Sequence, residues 1–138
     1  MFESFLSLEK GINLVYGESA TGKTTLCLQC AGEEAKKGKV VFIDTESGFS
    51  LERFKQIYPD NYKELLNNIY LISVADFEEQ CKFFDNFESM KNVTMVILDT
   101  LGMHYRVLVA KDPNNINKKI DRQLQILKEM NRNGVKIL

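Results

Sequence analysis

The stretch Gly17-Glu18-Ser19-Ala20-Thr21-Gly22-Lys23-Thr24-Thr25 constrains this chain more than any other. It fits G-x-x-x-x-G-K-[ST], the spacing of a loop that wraps the phosphates of a nucleoside triphosphate. Gly17 and Gly22 let the loop turn back on itself, so that its successive backbone N–H groups point inward at phosphate oxygens. Lys23 supplies a mobile cation for the outer phosphates, and the Thr24 hydroxyl is a ligand for Mg²⁺. The helix that starts about there turns its positive end toward the same anion. The motif carries this meaning only between a strand and a helix. Ile12-Asn13-Leu14-Val15-Tyr16 reads as a short buried strand, and residues 24–37, with Leu26, Ala31 and Ala35 among the apolar positions, read as a helix.

A chain of 138 residues that is 44% hydrophobic and 27% charged is expected to form one globular domain, 1–138, with a real core. A net charge of −1 excludes a globally basic mode of nucleic-acid binding and leaves a local basic patch open. Cys27, Cys30 and Cys81 are odd in number and lack a framework spacing, which points to a reducing cytoplasm. Cys27 and Cys30 form a C-x-x-C within the expected helix, where two buried small hydrophobes explain them better than metal or redox chemistry. No apolar run approaches membrane-spanning length, and no basic region followed by an apolar stretch opens the chain, so neither membrane association nor a signal peptide is expected.

Downstream, Phe2, Phe5, Leu6 and Leu8 of the lead-in can pack on the body, and Lys37-Gly38-Lys39 stops the first helix, with Gly38 suited to a left-handed C′ position. Val40-Val41-Phe42-Ile43 is continuously apolar, as a parallel strand covered on both faces should be. Ser50 can cap a helix carrying Leu51, Phe54 and Ile57, closed by Pro59. Residues 68–74 read as a third strand, residues 76–90 as an amphipathic helix with Phe77, Cys81, Phe84 and Phe87 facing inward, and residues 93–98 as a fourth strand ending at Asp99. A polar connection around Lys111-Asp112-Pro113-Asn114-Asn115 leads to a helix over 116–131, and Val135-Lys136-Ile137-Leu138 begins a fifth strand. The alternation predicts an α/β fold, a mostly parallel sheet with helices on both faces and right-handed crossovers. The last run has no turn or helix after it, so the expectation is a piece of a larger domain, incomplete at its C-terminus.

Ligands of an open parallel sheet belong at the carboxyl ends of its strands. Asp99 closes such a strand, where an acid reaches Mg²⁺ beside the loop threonine, and the few hard oxygen ligands this requires suit the ion. Near the end of the neighbouring run stand Asp44 and Glu46. One of them can polarise an attacking water while the other is structural, and their spacing alone leaves the choice open.

These residues carry a family resemblance. The chain resembles the RecA/RadA recombinase core, most closely the archaeal RadB type, through Val15-Tyr16-Gly17 entering the loop, Phe42-Ile43-Asp44-Thr45-Glu46-Ser47-Gly48-Phe49-Ser50-Leu51-Glu52-Arg53, Val96-Ile97-Leu98-Asp99-Thr100, and His104-Tyr105-Arg106. The second segment is the most specific, since phosphate loops are shared by many families. The resemblance implies a RecA-like P-loop NTPase core that binds ATP and Mg²⁺ and serves DNA repair and homologous recombination, with weak or no hydrolysis by these residues alone. It implies Glu46, with Lys23, as catalytic, Thr24 and Asp99 as metal-side ligands, and Arg53 stacked on adenine, against its plain reading as a solvated helix residue. His104 is positional under it. The implied partners are DNA, single-stranded in particular, recombinase or other repair proteins, and a neighbouring copy of the chain. Arg106, Lys111, Lys118, Lys119 and Arg122 fall where relatives have a DNA-binding loop, and they read equally as a solvated helix face. In relatives the last strand continues to a polar sensor and a second DNA-binding loop. A KaiC-like ATPase acting on protein partners is the alternative of a different class.

Overall fold

A computed structural model of the chain describes residues 8, 11–18, 20–87, 91–102 and 108–138. Most of the lead-in with Phe2, Phe5 and Leu6, the loop residue Ser19, the end of the 76–90 segment, and His104, Tyr105 and Arg106 lie outside them.

The described elements run α1 (Lys23–Ala35), β1 (Lys39–Asp44), α2 (Leu51–Ile57), α3 (Tyr62–Leu66), β2 (Ile69–Ser73), α4 (Phe77–Asp85), β3 (Val93–Asp99), α5 (Pro113–Arg132) and β4 (Lys136–Ile137). The strands form one sheet in the order β2-β1-β3-β4, and every pairing is parallel. This is the α/β architecture of a P-loop NTPase core, with a RecA-like order of elements.

The continuous apolar runs have a direct reading in the packing. Along β1 the side chains alternate, so Val40 and Phe42 join one core while Val41 and Ile43 join another. The first core takes Leu28 and Ala31 of α1, Phe54 of α2 and Leu65 of α3, and the second takes Phe84 of α4 and Ile126 and Leu127 of α5. Phe42, Phe54 and Phe84 are shut off from solvent, each contributing about 1.5–3 kcal/mol of apolar burial. Cys27 and Cys30 lie in the first core, and burial pushes their thiols up to about 12 and about 11. They are packing residues, as their place in the helix suggested.

The helix starts follow their caps. Ser50 Oγ accepts the Arg53 N–H at 3.1 Å to open α2, and an Asp76 carboxylate oxygen accepts the Glu79 N–H at 2.9 Å to open α4. Four details differ from the sequence reading. Pro113 starts α5 three residues early, because its fixed φ suits the first helical turn. The chain between α2 and β2 holds the short helix α3. Gly38 is absent from the left-handed glycines; it is small because a Cβ there would fall 2.1 Å from Thr94 Oγ1 on β3. The expected strand over residues 12–16 is reduced to a single parallel bridge between Ile12 and Ile137. The Asn13 N–H still donates to the Ile137 carbonyl at 3.1 Å, but β4 spans only Lys136–Ile137, so residues 14–16 run without a ladder. Leu14 and Tyr16 are accordingly exposed, at 77% and 86%.

Candidate functional site

Three loops meet at the carboxyl ends of β1 and β3. The first enters α1, and its last residue before the helix, Gly22, has φ +94°, a conformation that a side chain would oppose. The Thr21 hydroxyl donates to the Glu18 carbonyl at 2.7 Å and closes the turn. Lys23 Nζ lies across the loop, donating to the carbonyls of Gly17, at 2.8 Å, and Glu18. A cavity of about 540 Å³ opens in front, lined by Ala20, Gly22, Lys23, Thr24 and Thr25 from this side. Glu46, Gly48, Ser50 and Arg53 line it from the β1 side, and Asp99 and Thr100 from β3.

Of the residues singled out in the sequence, the fold brings Lys23, Thr24, Thr25, Glu46, Arg53 and Asp99 around this one space. The Thr24 hydroxyl donates to Asp99 Oδ2 at 2.8 Å, joining the loop to the end of β3. Burial raises the Asp99 carboxyl above the ordinary carboxylate range, and nearby Asp44 adds to the rise, while the Thr24 hydroxyl and Lys23 pull the other way. The pair sets two hard oxygens side by side on the cavity wall, which fits a magnesium ion taking few protein ligands and keeping its waters and phosphate oxygens. Among the described residues no group of three or more His, Cys, Asp or Glu converges on a metal site.

Asp44 and Glu46, left open by spacing, part company in three dimensions. Asp44 is buried and turned into its own loop: Oδ1 accepts the N–H groups of Glu46 and Gly48 at 3.2 and 3.1 Å, and Oδ2 accepts that of Phe49 at 3.1 Å. Its lone pairs are used by the turn. Glu46 is exposed and faces the cavity. The turn was legible in principle, because an Asp followed by small polar residues and a glycine folds back on its own amides.

Arg53 stands on the far wall, where Nη1 donates to Thr25 Oγ1 at 2.9 Å and ties α2 to α1. That contact went unanticipated, as did the lining residues Gly48, Ser50 and Thr100, since none belongs to the phosphate motif. The basic residues expected at a DNA interface are elsewhere. Lys118 and Lys119 are exposed on α5, Lys111 is exposed in the turn before it, and Arg122 Nε donates to Asp85 on α4 at 2.8 Å. None of these four lines the cavity. Among the described residues, no helix is long and apolar enough to cross a membrane.

Residues 10–126 match the AAA domain family. The chain is similar to the DNA repair and recombination protein RadB of Methanocaldococcus jannaschii, 34% identical over 86% of this chain and 59% of that protein. The RadB of Methanosphaera stadtmanae is 36% identical over 91% of this chain and 56% of its own length. For the RadB of Thermococcus onnurineus the identity is 36%, over 82% of this chain and 51% of the relative. The chain thus spans a little over half the length of the relatives it matches.

Proposed function

Because this chain belongs to the AAA domain family and is similar to archaeal RadB proteins, we propose that it binds ATP with Mg²⁺ and acts in DNA repair and recombination. The observation that carries the nucleotide part is the convergence of Lys23, Thr24, Glu46 and Asp99 on one cavity at the carboxyl ends of parallel strands. The relatives' name carries the recombination part, and those relatives are considerably longer than this chain.

In this reading the loop N–H groups and the positive end of α1 hold the β and γ phosphates. Lys23 exchanges its loop carbonyls for phosphate oxygens, and Thr24 and Asp99 hold Mg²⁺. When bound, the ion neutralises charge that builds on the phosphate oxygens. Glu46 accepts a proton from, and orients, a water aimed at the γ phosphate, because its carboxylate is exposed to the cavity and unused by the loop. Arg53 lies on the wall where a flat base can meet its guanidinium. The exposed lysines of α5 are a surface for DNA phosphates, away from the cavity.

Calorimetric titration with ATP and Mg²⁺ tests the nucleotide assignment. The chain should bind, and Lys23→Ala should weaken binding by about 100-fold or more, as loss of a charge-assisted contact to phosphate implies. Unchanged binding by that variant would remove the assignment. Fluorescently labelled single-stranded DNA at low salt tests the second part, with ATP-dependent binding expected and its absence counting against a DNA role.

A further inference from the structure

Thr45 stands between the two acids that matter most, yet neither the phosphate motif nor the cavity lining includes it. It is buried, 5% exposed, and a buried threonine at a strand end has to satisfy its hydroxyl locally. It does so on the backbone of Thr100, the residue that follows β3. The Thr45 N–H donates to the Asp99 carbonyl at 3.0 Å. Its hydroxyl donates to the Thr100 carbonyl at 2.9 Å and accepts the Thr100 N–H at 2.8 Å. Three hydrogen bonds from one residue therefore fix the backbone of Asp99 and Thr100 against the end of β1. The Thr100 side chain takes no part, its own buried hydroxyl having no hydrogen-bond partner among the described residues. On the other flank of Thr45, Asp44 holds the amides of Glu46, Gly48 and Phe49.

We propose that Thr45 is a positioning residue for the metal side of the site: its hydroxyl holds the backbone of Thr100, directly after Asp99, so that the Asp99 carboxylate stays beside the Thr24 hydroxyl, and it thereby sets how much Mg²⁺ adds to nucleotide affinity. The inference rests on the Mg²⁺–ATP reading and goes beyond it by assigning a role to a residue that touches neither ligand. Valine has nearly the shape of threonine but no hydroxyl, so Thr45→Val would leave the half-buried N–H and C=O of Thr100 without these two bonds. The strand end would then shift or admit water, and Asp99 would lose its orientation. Residues that orient a metal ligand from behind are worth about 10–100-fold in metal affinity. The phosphate loop itself has no hydrogen bond to Thr45 among those described, so binding of the phosphates without metal should be spared.

The test is calorimetry with a non-hydrolysable ATP analogue, once in Mg²⁺ and once in EDTA, on the unaltered chain, Thr45→Val and Thr45→Ser. The expected result is that Thr45→Val loses tenfold or more of the affinity gained from Mg²⁺ while its Kd in EDTA stays within about twofold. Thr45→Ser, which keeps the hydroxyl, should retain the full gain. A Thr45→Val protein with the full Mg²⁺ gain overturns the proposal, as does one that weakens equally in both conditions, since that pattern is general loss of structure. If circular dichroism shows Thr45→Val unfolded, Thr45→Cys is judged by the same two criteria. An unaltered chain that binds nucleotide indifferently to Mg²⁺ overturns this inference and leaves ATP binding standing, whereas one that binds no nucleotide in either condition overturns both.

Discussion

Asp44 and Asp99 make a controlled comparison within one molecule. They are register partners at the carboxyl ends of adjacent parallel strands, and both are almost fully buried, at 4% and 6% exposure. Their uses are opposite. The Asp44 carboxylate accepts three N–H groups from the loop that follows it, whereas Asp99 accepts the Thr24 hydroxyl from another element and faces the cavity. Burial and position on the strand are therefore poor guides to which acid meets a ligand. What separates them is how many lone pairs the local backbone has already taken. After Asp44 the residues Thr-Glu-Ser-Gly curl back, with Ser47 at φ +55°, and present their amides to the carboxylate.

The sharpest way to break the comparison runs through Glu46, which the Asp44 turn holds out over the cavity. If Asp44 is committed to structure, Glu46→Gln should lower any ATP turnover by about 10²–10⁴-fold, the usual worth of a general base, while ATP affinity stays within about twofold. Single-turnover hydrolysis alongside calorimetry measures both. Undiminished turnover would return the role to Asp44 and dissolve the contrast between the two acids. The next effect in size is on folding. Asp44→Ala removes a buried charged acceptor that three loop amides share, so urea denaturation should show a loss of about 2–3 kcal/mol. A loss under about 0.5 kcal/mol would mean the turn holds itself without the carboxylate.

The same contrast explains how much of the molecule was legible beforehand. Val40-Val41-Phe42-Ile43 announced a strand covered on both faces because each residue of an apolar run must find a core, and the two cores of the sheet supply them. That the loop, Lys23, Thr24 and Asp99 would meet in one place was legible, the first three from the spacing of the motif and Asp99 from its position at the end of an apolar run, and the fold brings them together. The assignment of residues 12–16 as a strand failed in part because apolarity marks what wants burial, whereas a strand also needs a partner backbone, and β4 offers only Lys136–Ile137. Gly38 was read as a left-handed helix stop when its real constraint is Thr94, more than fifty residues away in sequence. The role of Thr45 and the hydrogen bond between Arg53 and Thr25 escaped for a related reason: both join elements that only the fold brings together.

The smallest effect is the most diagnostic, because its sign differs between the two acids. Burial raises the Asp99 carboxyl, so folding disfavours its ionised form. For an acid with a raised folded value, the cost is absent at low pH, where both states are protonated, and it grows as pH rises through the ordinary carboxylate range to the folded value. Asp99→Asn keeps an oxygen for the Thr24 hydroxyl and removes the buried charge. The variant should therefore unfold at slightly higher denaturant than the unaltered chain at neutral pH, by under about 1 kcal/mol, with the difference vanishing on acidification. In the same protein the Mg²⁺ contribution to ATP affinity should disappear, because a neutral amide is a poor ligand for a hard cation. Stability that rises as metal dependence falls is the mark of an acid kept for a ligand, whereas Asp44→Asn should lose stability at neutral pH. If Asp99→Asn instead destabilised the fold as Asp44→Ala does, both strand-end acids would be structural, and the cavity would be left without its metal side.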